Sequence, residues 1–79
     1  MNLMVELVSP ERVVFEGEVR AVVLPGVEGD MTILPGHAPL MTMLYPGMVF
    51  ATDLEGKGRR AFIRGGFVEV TNSSVIILA

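Results

Sequence analysis

Leu34-Pro35-Gly36-His37-Ala38-Pro39-Leu40 decides how this chain is read. Pro35-Gly36 specifies a turn, because proline presets φ and glycine accepts a left-handed backbone at no steric cost. Pro39 pushes Ala38 toward extended geometry and has no N–H to give to a sheet. The stretch is therefore a stiff corner that presents His37 and Ala38 and opens into an apolar strand beginning at Ala38 or Pro39. Stiff corners in a chain of strands are suited to docking.

Outward from this corner the chain alternates with period two, the pattern of half-buried strands. Leu3, Val5 and Leu7 alternate with Met4, Glu6 and Val8. Val13, Phe15 and Val19 share a face, with Glu16, Glu18 and Arg20 on the other. Extended sequence continues to Leu24, and Gly26-Val27-Glu28-Gly29-Asp30 reads as a turn before a short strand at 31–34. Tyr45-Pro46-Gly47 closes the strand that follows the corner. Residues 48–54 and 59–64 flank Glu55-Gly56-Lys57-Gly58, a hairpin signal. Gly65-Gly66 interrupts the pattern and predicts a bulge or a close backbone approach. A last hairpin joins 67–71 to 75–78. Turns recur every 8–12 residues and no capped helix is evident, which predicts an all-β sandwich or barrel.

Seventy-nine residues supply one domain, spanning 1–79, with an expected stability of about 4–12 kcal/mol. There is no cysteine, so no disulfide or thiolate site supports the fold. Hydrophobic residues make up 51% of the chain before its nine glycines are added, against about 45–50% with glycine included in an ordinary domain. The mean hydropathy is +0.56. A small body cannot hide all of this, so an exposed apolar patch is expected, the mark of a binding surface. No apolar run approaches the roughly 20 residues of a membrane helix, and no signal peptide is expected. A net charge of −3 argues against a nucleic-acid or anionic-membrane surface.

Two strands are apolar on both faces. Leu40, Thr42 and Leu44 point one way and Met41 and Met43 the other, while Val75-Ile76-Ile77-Leu78 has no polar residue. Such strands lie between layers or face a partner, and methionine suits adaptable binding surfaces. The search for chemistry is barren. A lone His37 excludes a multi-histidine metal site, and no Ser or Cys sits in a nucleophile motif. Gly56-Lys57-Gly58 lacks the spacing of a phosphate loop. Glu16 and Glu18 read as a solvated strand face, as do Lys57, Arg59, Arg60 and Arg64 around one hairpin. Asp30 suits a tight corner or an acidic loop tip that meets a basic partner.

Six motifs in order give these features a family. Leu7-Val8-Ser9-Pro10-Glu11, Phe15-Glu16-Gly17-Glu18-Val19, Gly26-Val27-Glu28-Gly29-Asp30, the corner at 34–40 with Thr42, Leu44 and Pro46-Gly47 behind it, Gly65-Gly66-Phe67-Val68-Glu69-Val70 and Val75-Ile76-Ile77-Leu78-Ala79 together resemble the N-terminal β-domain of the epsilon subunit of F-type ATP synthases, called delta in mitochondria. The resemblance implies a flattened two-sheet β-sandwich of about ten short strands. It implies a non-catalytic rotor subunit of the central stalk, docking the gamma subunit onto the ring of c subunits and coupling proton flow to ATP synthesis. It implies no cofactor and no nucleic acid. The place would be peripheral to the membrane, at the cytoplasmic face of a bacterial plasma (inner) membrane or its organelle equivalent.

Carried over by position, Glu28 and Asp30 are the c-ring contacts. Ser9, His37, Ala38, Pro39, Leu40, Met41, Thr42 and Met43 are the gamma contacts. An exposed acid–base pair contributes about 0–1 kcal/mol, so the acidic loop would set register more than affinity, and apolar burial at roughly 25 cal/mol per Å² would dominate on gamma. Full-length relatives continue into a C-terminal helical hairpin that can inhibit ATP hydrolysis. This chain ends at Ala79, so no helical inhibitor is expected. The alternative reading is a β-sandwich adaptor domain of another protein complex.

Overall fold

The computed structural model describes residues 2–79, so Met1, where the expected domain begins, lies outside the described residues. Its elements are six strands: β1 Leu3–Val8, β2 Val13–Gly26, β3 Gly29–Ile33, β4 Leu40–Asp53, β5 Gly58–Val70 and β6 Ser74–Leu78. They form one sheet in the order β1-β6-β5-β4-β2-β3, and β1 also pairs with β2, which closes the sheet on itself. Only β1 and β6 run parallel.

The closed sheet is flattened into two layers because its three longest strands bend. Residues 13–19 of β2 pair with β1, whereas residues 22–26 pair with β3 along the same edge. The β2–β4 register shifts between Val19 and Ala21. β4 and β5 bend together: Leu44 pairs with Gly66 and Pro46 with Arg64, and Tyr45 and Gly65 occupy the level between. The first layer thus contains 40–44, 66–70, β6, β1 and 13–19. The second contains β3, 20–26, 46–53 and 58–64.

The all-β two-layer architecture is as the sequence predicts. The strand count differs: nine extended segments run together into six strands, in place of about ten short ones. Tyr45-Pro46-Gly47 bends β4 without ending it, since the pairing to β5 resumes directly at Pro46. Gly65-Gly66 likewise bends β5 without breaking it. Both glycines have positive φ, 115° and 151°, and a Cβ on Gly66 would run into the Leu78 carbonyl oxygen. The close backbone approach expected there is present.

Alternate residues of both layers meet in one core. Leu3, Val5 and Leu7 of β1 are buried against Val22 and Leu24 of β2, Ile33, Val68, Val70, Val75 and Ile77. Their small and branched shapes suit a pleated, interdigitated interior.

Two turns hold the layers' ends. The Leu34 carbonyl accepts from His37 N–H (3.1 Å) across Pro35 and Gly36, and Gly36 has φ 85°, the geometry of a type II turn. Gly36 N–H also donates to the Asn72 carbonyl (2.8 Å), tying this corner to the β5–β6 turn. Asp53 knots the β4–β5 hairpin. Its buried carboxylate accepts from the N–H groups of Glu55 (3.0 Å) and Lys57 (2.8 Å), and Arg59 Nε lies 3.8 Å away.

Candidate protein-binding surfaces

The outer face of the first layer carries an apolar row assembled from five strand segments. Met43 pairs with Phe67, Phe67 with Leu78, Leu78 with Val8, and Val8 with Val13. Five segments at roughly 4.8 Å spacing make a row about 20 Å long. The next outward-facing row, two residues along each strand and three along β2 where the register shifts, is Met41, Glu69, Ile76, Glu6 and Glu16. Met41 and Met43 are 63% and 62% exposed, and Leu78 is 54% exposed. Large apolar side chains in such a run leave a contiguous surface of the kind that marks an interface.

Of the gamma contacts expected from sequence, Met41 and Met43 lie on this face. Ser9 sits in the turn after β1, where its Oγ accepts from Arg12 N–H (3.3 Å), and His37 sits beyond the other end of the face, before β4. The two mark diagonally opposite corners of it. His37 Nδ1–H donates to the Ala38 carbonyl (2.8 Å), and Ala38 and Pro39 are exposed. Leu40 and Thr42 behave differently. The alternation of β4 turns them inward, half-buried, away from the methionines. The sequence reading missed Phe67, Val8, Val13 and Leu78 as members of the same row. The signal was present in the doubly apolar run at 75–78, but only the register shows which residues stand beside Met43.

The acidic loop lies at the open side between β3 and the start of β4. Gly26 pairs with Gly29, leaving Val27 and Glu28 at the tip, and Gly29 takes φ 118°. Glu28 and Asp30 are exposed, Asp30 as a member of β3 opposite Pro25. A cleft of about 390 Å³ separates the layers here, lined by Val27, Glu28, Gly29, Asp30, Met31, Leu40 and Thr42. The structure therefore joins Leu40 and Thr42 to the acidic loop, where a partner's loop could rest apolar atoms between the layers and a cation on the rim.

The second layer's outer face is apolar and basic. Phe62, 67% exposed, pairs with Met48. Phe50 pairs with Arg60, whose guanidinium carbon stands 5.4 Å from the Phe50 ring centroid, and Arg64 lies two residues beyond Phe62. Arg59 stands 5.8 Å from the Phe15 ring, at the mouth of an apolar cavity of about 170 Å³ lined by Val5, Leu7, Val49 and Ala51 among others.

Comparison with known proteins gives the fold a family. Residues 2–79 match the family described as "ATP synthase, Delta/Epsilon chain, beta-sandwich domain". The ATP synthase epsilon chain of Parvibaculum lavamentivorans is 50% identical over 74 residues, 94% of this chain and 56% of the relative. That of Maricaulis maris is 53% identical over 74 residues, 94% of this chain and 55% of the relative. A chain in the cryo-EM structure of the Euglena gracilis mitochondrial ATP synthase, OSCP/F1/c-ring in rotational state 1, superposes with a TM-score of 0.92 at 26% identity, covering 99% of this chain and 50% of that one. The chain spans about half the length of these relatives. With its fold and its sequence both matched almost end to end, the chain belongs to the β-sandwich domain family of ATP synthase delta/epsilon chains.

Proposed function

We propose that this domain is a non-catalytic part of the central stalk of a proton-translocating F-type ATP synthase, where it docks the gamma subunit onto the c-ring. The observation that carries the reading is the apolar row of the first layer, continuous over five strand segments and open to solvent. Its rigid sheet presents that row to gamma without having to order a loop first, which lowers the entropic cost of binding. The acidic loop with Glu28 and Asp30 lies apart from that row, at the open side between β3 and the start of β4, free to meet basic loops of the c-ring. Two interfaces on one stiff body make a clamp that turns with the rotor. Its place would be at the cytoplasmic face of the membrane, held there through the complex.

Co-purification with the gamma subunit tests this. The chain is expected to form a stoichiometric complex, and a Met41→Glu, Met43→Glu variant to bind at least about thirtyfold more weakly, the scale of losing a hot spot, with an unchanged melting temperature. Phe62→Glu, on the other face, is expected to bind like the parent. A folded chain that ignores gamma would sink the proposal and leave an adaptor domain of another complex.

A further inference from the structure

The first-layer face has a second property that its apolar row does not explain. Glu6 of β1 stands directly opposite Glu16 of β2, and across β6 the same row holds Glu69, with Met41 beyond it. Glu18 follows two residues after Glu16, opposite Met4. Like charges directly opposite on one sheet face destabilise a strand pair. None of these glutamates has an ion-pair partner among the described residues, where the one ion pair is Arg59 with Asp53. Arg20 is turned away, its guanidinium donating to the Leu54 carbonyl (2.7 Å). Arg60 and Arg64 lie on the second layer and Lys57 in the β4–β5 hairpin, Arg12 lies in the turn past the far end of β1, and Arg59, paired with Asp53, borders the cleft that Glu16 and Glu18 also line. The outer faces thus differ in sign: Glu6, Glu16 and Glu69 lie on the open apolar face, and Arg60 and Arg64 on the opposite one.

We infer that the surface docked here is apolar opposite the Met43–Phe67–Leu78–Val8–Val13 row and cationic, bearing lysine or arginine, along a parallel line opposite Glu69, Glu6 and Glu16. The two lines lie roughly 7 Å apart, two residues along a strand. This deepens the proposed gamma contact and rests on it. Glu6 and Glu16 weaken the free domain and are matched only in the complex, the compromise expected of a binding surface. Long-range attraction between the acidic face and the cationic line also speeds docking and fixes its register.

Equilibrium binding to the gamma subunit at 50 and 500 mM NaCl, alongside thermal melting of the free chain, tests this with Glu6→Gln, Glu69→Gln and the double variant. Glu55→Gln in the hairpin serves as the control. Glu6→Gln is expected to raise the melting temperature by roughly 1–5 °C while weakening binding about three- to fivefold. The double variant should lose most of the salt dependence that the parent shows, and Glu55→Gln should match the parent. Binding by the parent that salt and both substitutions leave unchanged would overturn the inference and spare the gamma contact, as would a lower melting temperature for Glu6→Gln. No binding by the parent at all would instead remove the gamma reading on which the inference stands.

Discussion

The two outer faces of the sandwich expose similar side chains and treat them differently. On the second layer, Phe50 lies under the guanidinium of Arg60 and Met48 sits beside Phe62, so part of the apolar surface is covered by the chain's own cation. On the first layer, Met43, Phe67, Leu78, Val8 and Val13 run in line with no cation over an aromatic ring of the row among the described residues, and the neighbouring row brings glutamates together. Exposed hydrophobic residues alone would not separate the two. What separates them is whether the chain satisfies its own surface, and the first layer leaves both its apolar row and its carboxylates unmatched.

The comparison is most easily broken at the bend that creates the two layers. A Cβ on Gly66 meets the Leu78 carbonyl oxygen and lies 3.1 Å from Ala79 Cα, both backbone atoms that cannot swing away. Gly66→Ala is expected to cost about 3 kcal/mol or more, from strain and lost pairing to β6, a fall in melting temperature of at least about 12 °C. A melting curve like the parent's would show that the layers do not depend on this approach. Asp53→Ala should come next, at about 2 kcal/mol, because it strips two backbone N–H groups of their charged acceptor. Asp53→Asn, which keeps an acceptor oxygen, should recover part of the loss in denaturant titration. The smallest effect sharpens the contrast between faces. Arg60→Gln should lower stability by only about 0.5–1 kcal/mol and leave gamma binding unchanged. A larger drop in binding would mean that the second face also docks gamma.

Local chemistry was legible wherever a residue acts on its own neighbours. Pro35-Gly36 forms the turn its backbone preferences demand, and Glu55-Gly56-Lys57-Gly58 closes a hairpin. The sequence reading also separated Met41 and Met43 from Leu40 and Thr42, because strand alternation is a property of one segment. It went astray where a strand continues through a bend: Tyr45-Pro46-Gly47 and Gly65-Gly66 look like terminators singly, yet they bend two paired strands at one level, where each ladder holds the other extended. It could follow which way Leu40 and Thr42 point, but not that β3 and the acidic loop lie on that side.

By itself, then, the sequence determined an all-β chain with stiff corners, an excess of apolar surface, and motifs specific enough to name its family, because period, turn chemistry and motif order are all written in consecutive residues. The tertiary structure alone decided that Val13 and Leu78 stand on either side of Val8, that Glu6 faces Glu16, and that Arg60 and Arg64 lie on the other face from Glu6, Glu16 and Glu69. Those facts depend on register between strands distant in sequence, and register is fixed by how the buried residues of β1, β2, β5 and β6 fit together in the core rather than by any residue that ends up on the surface.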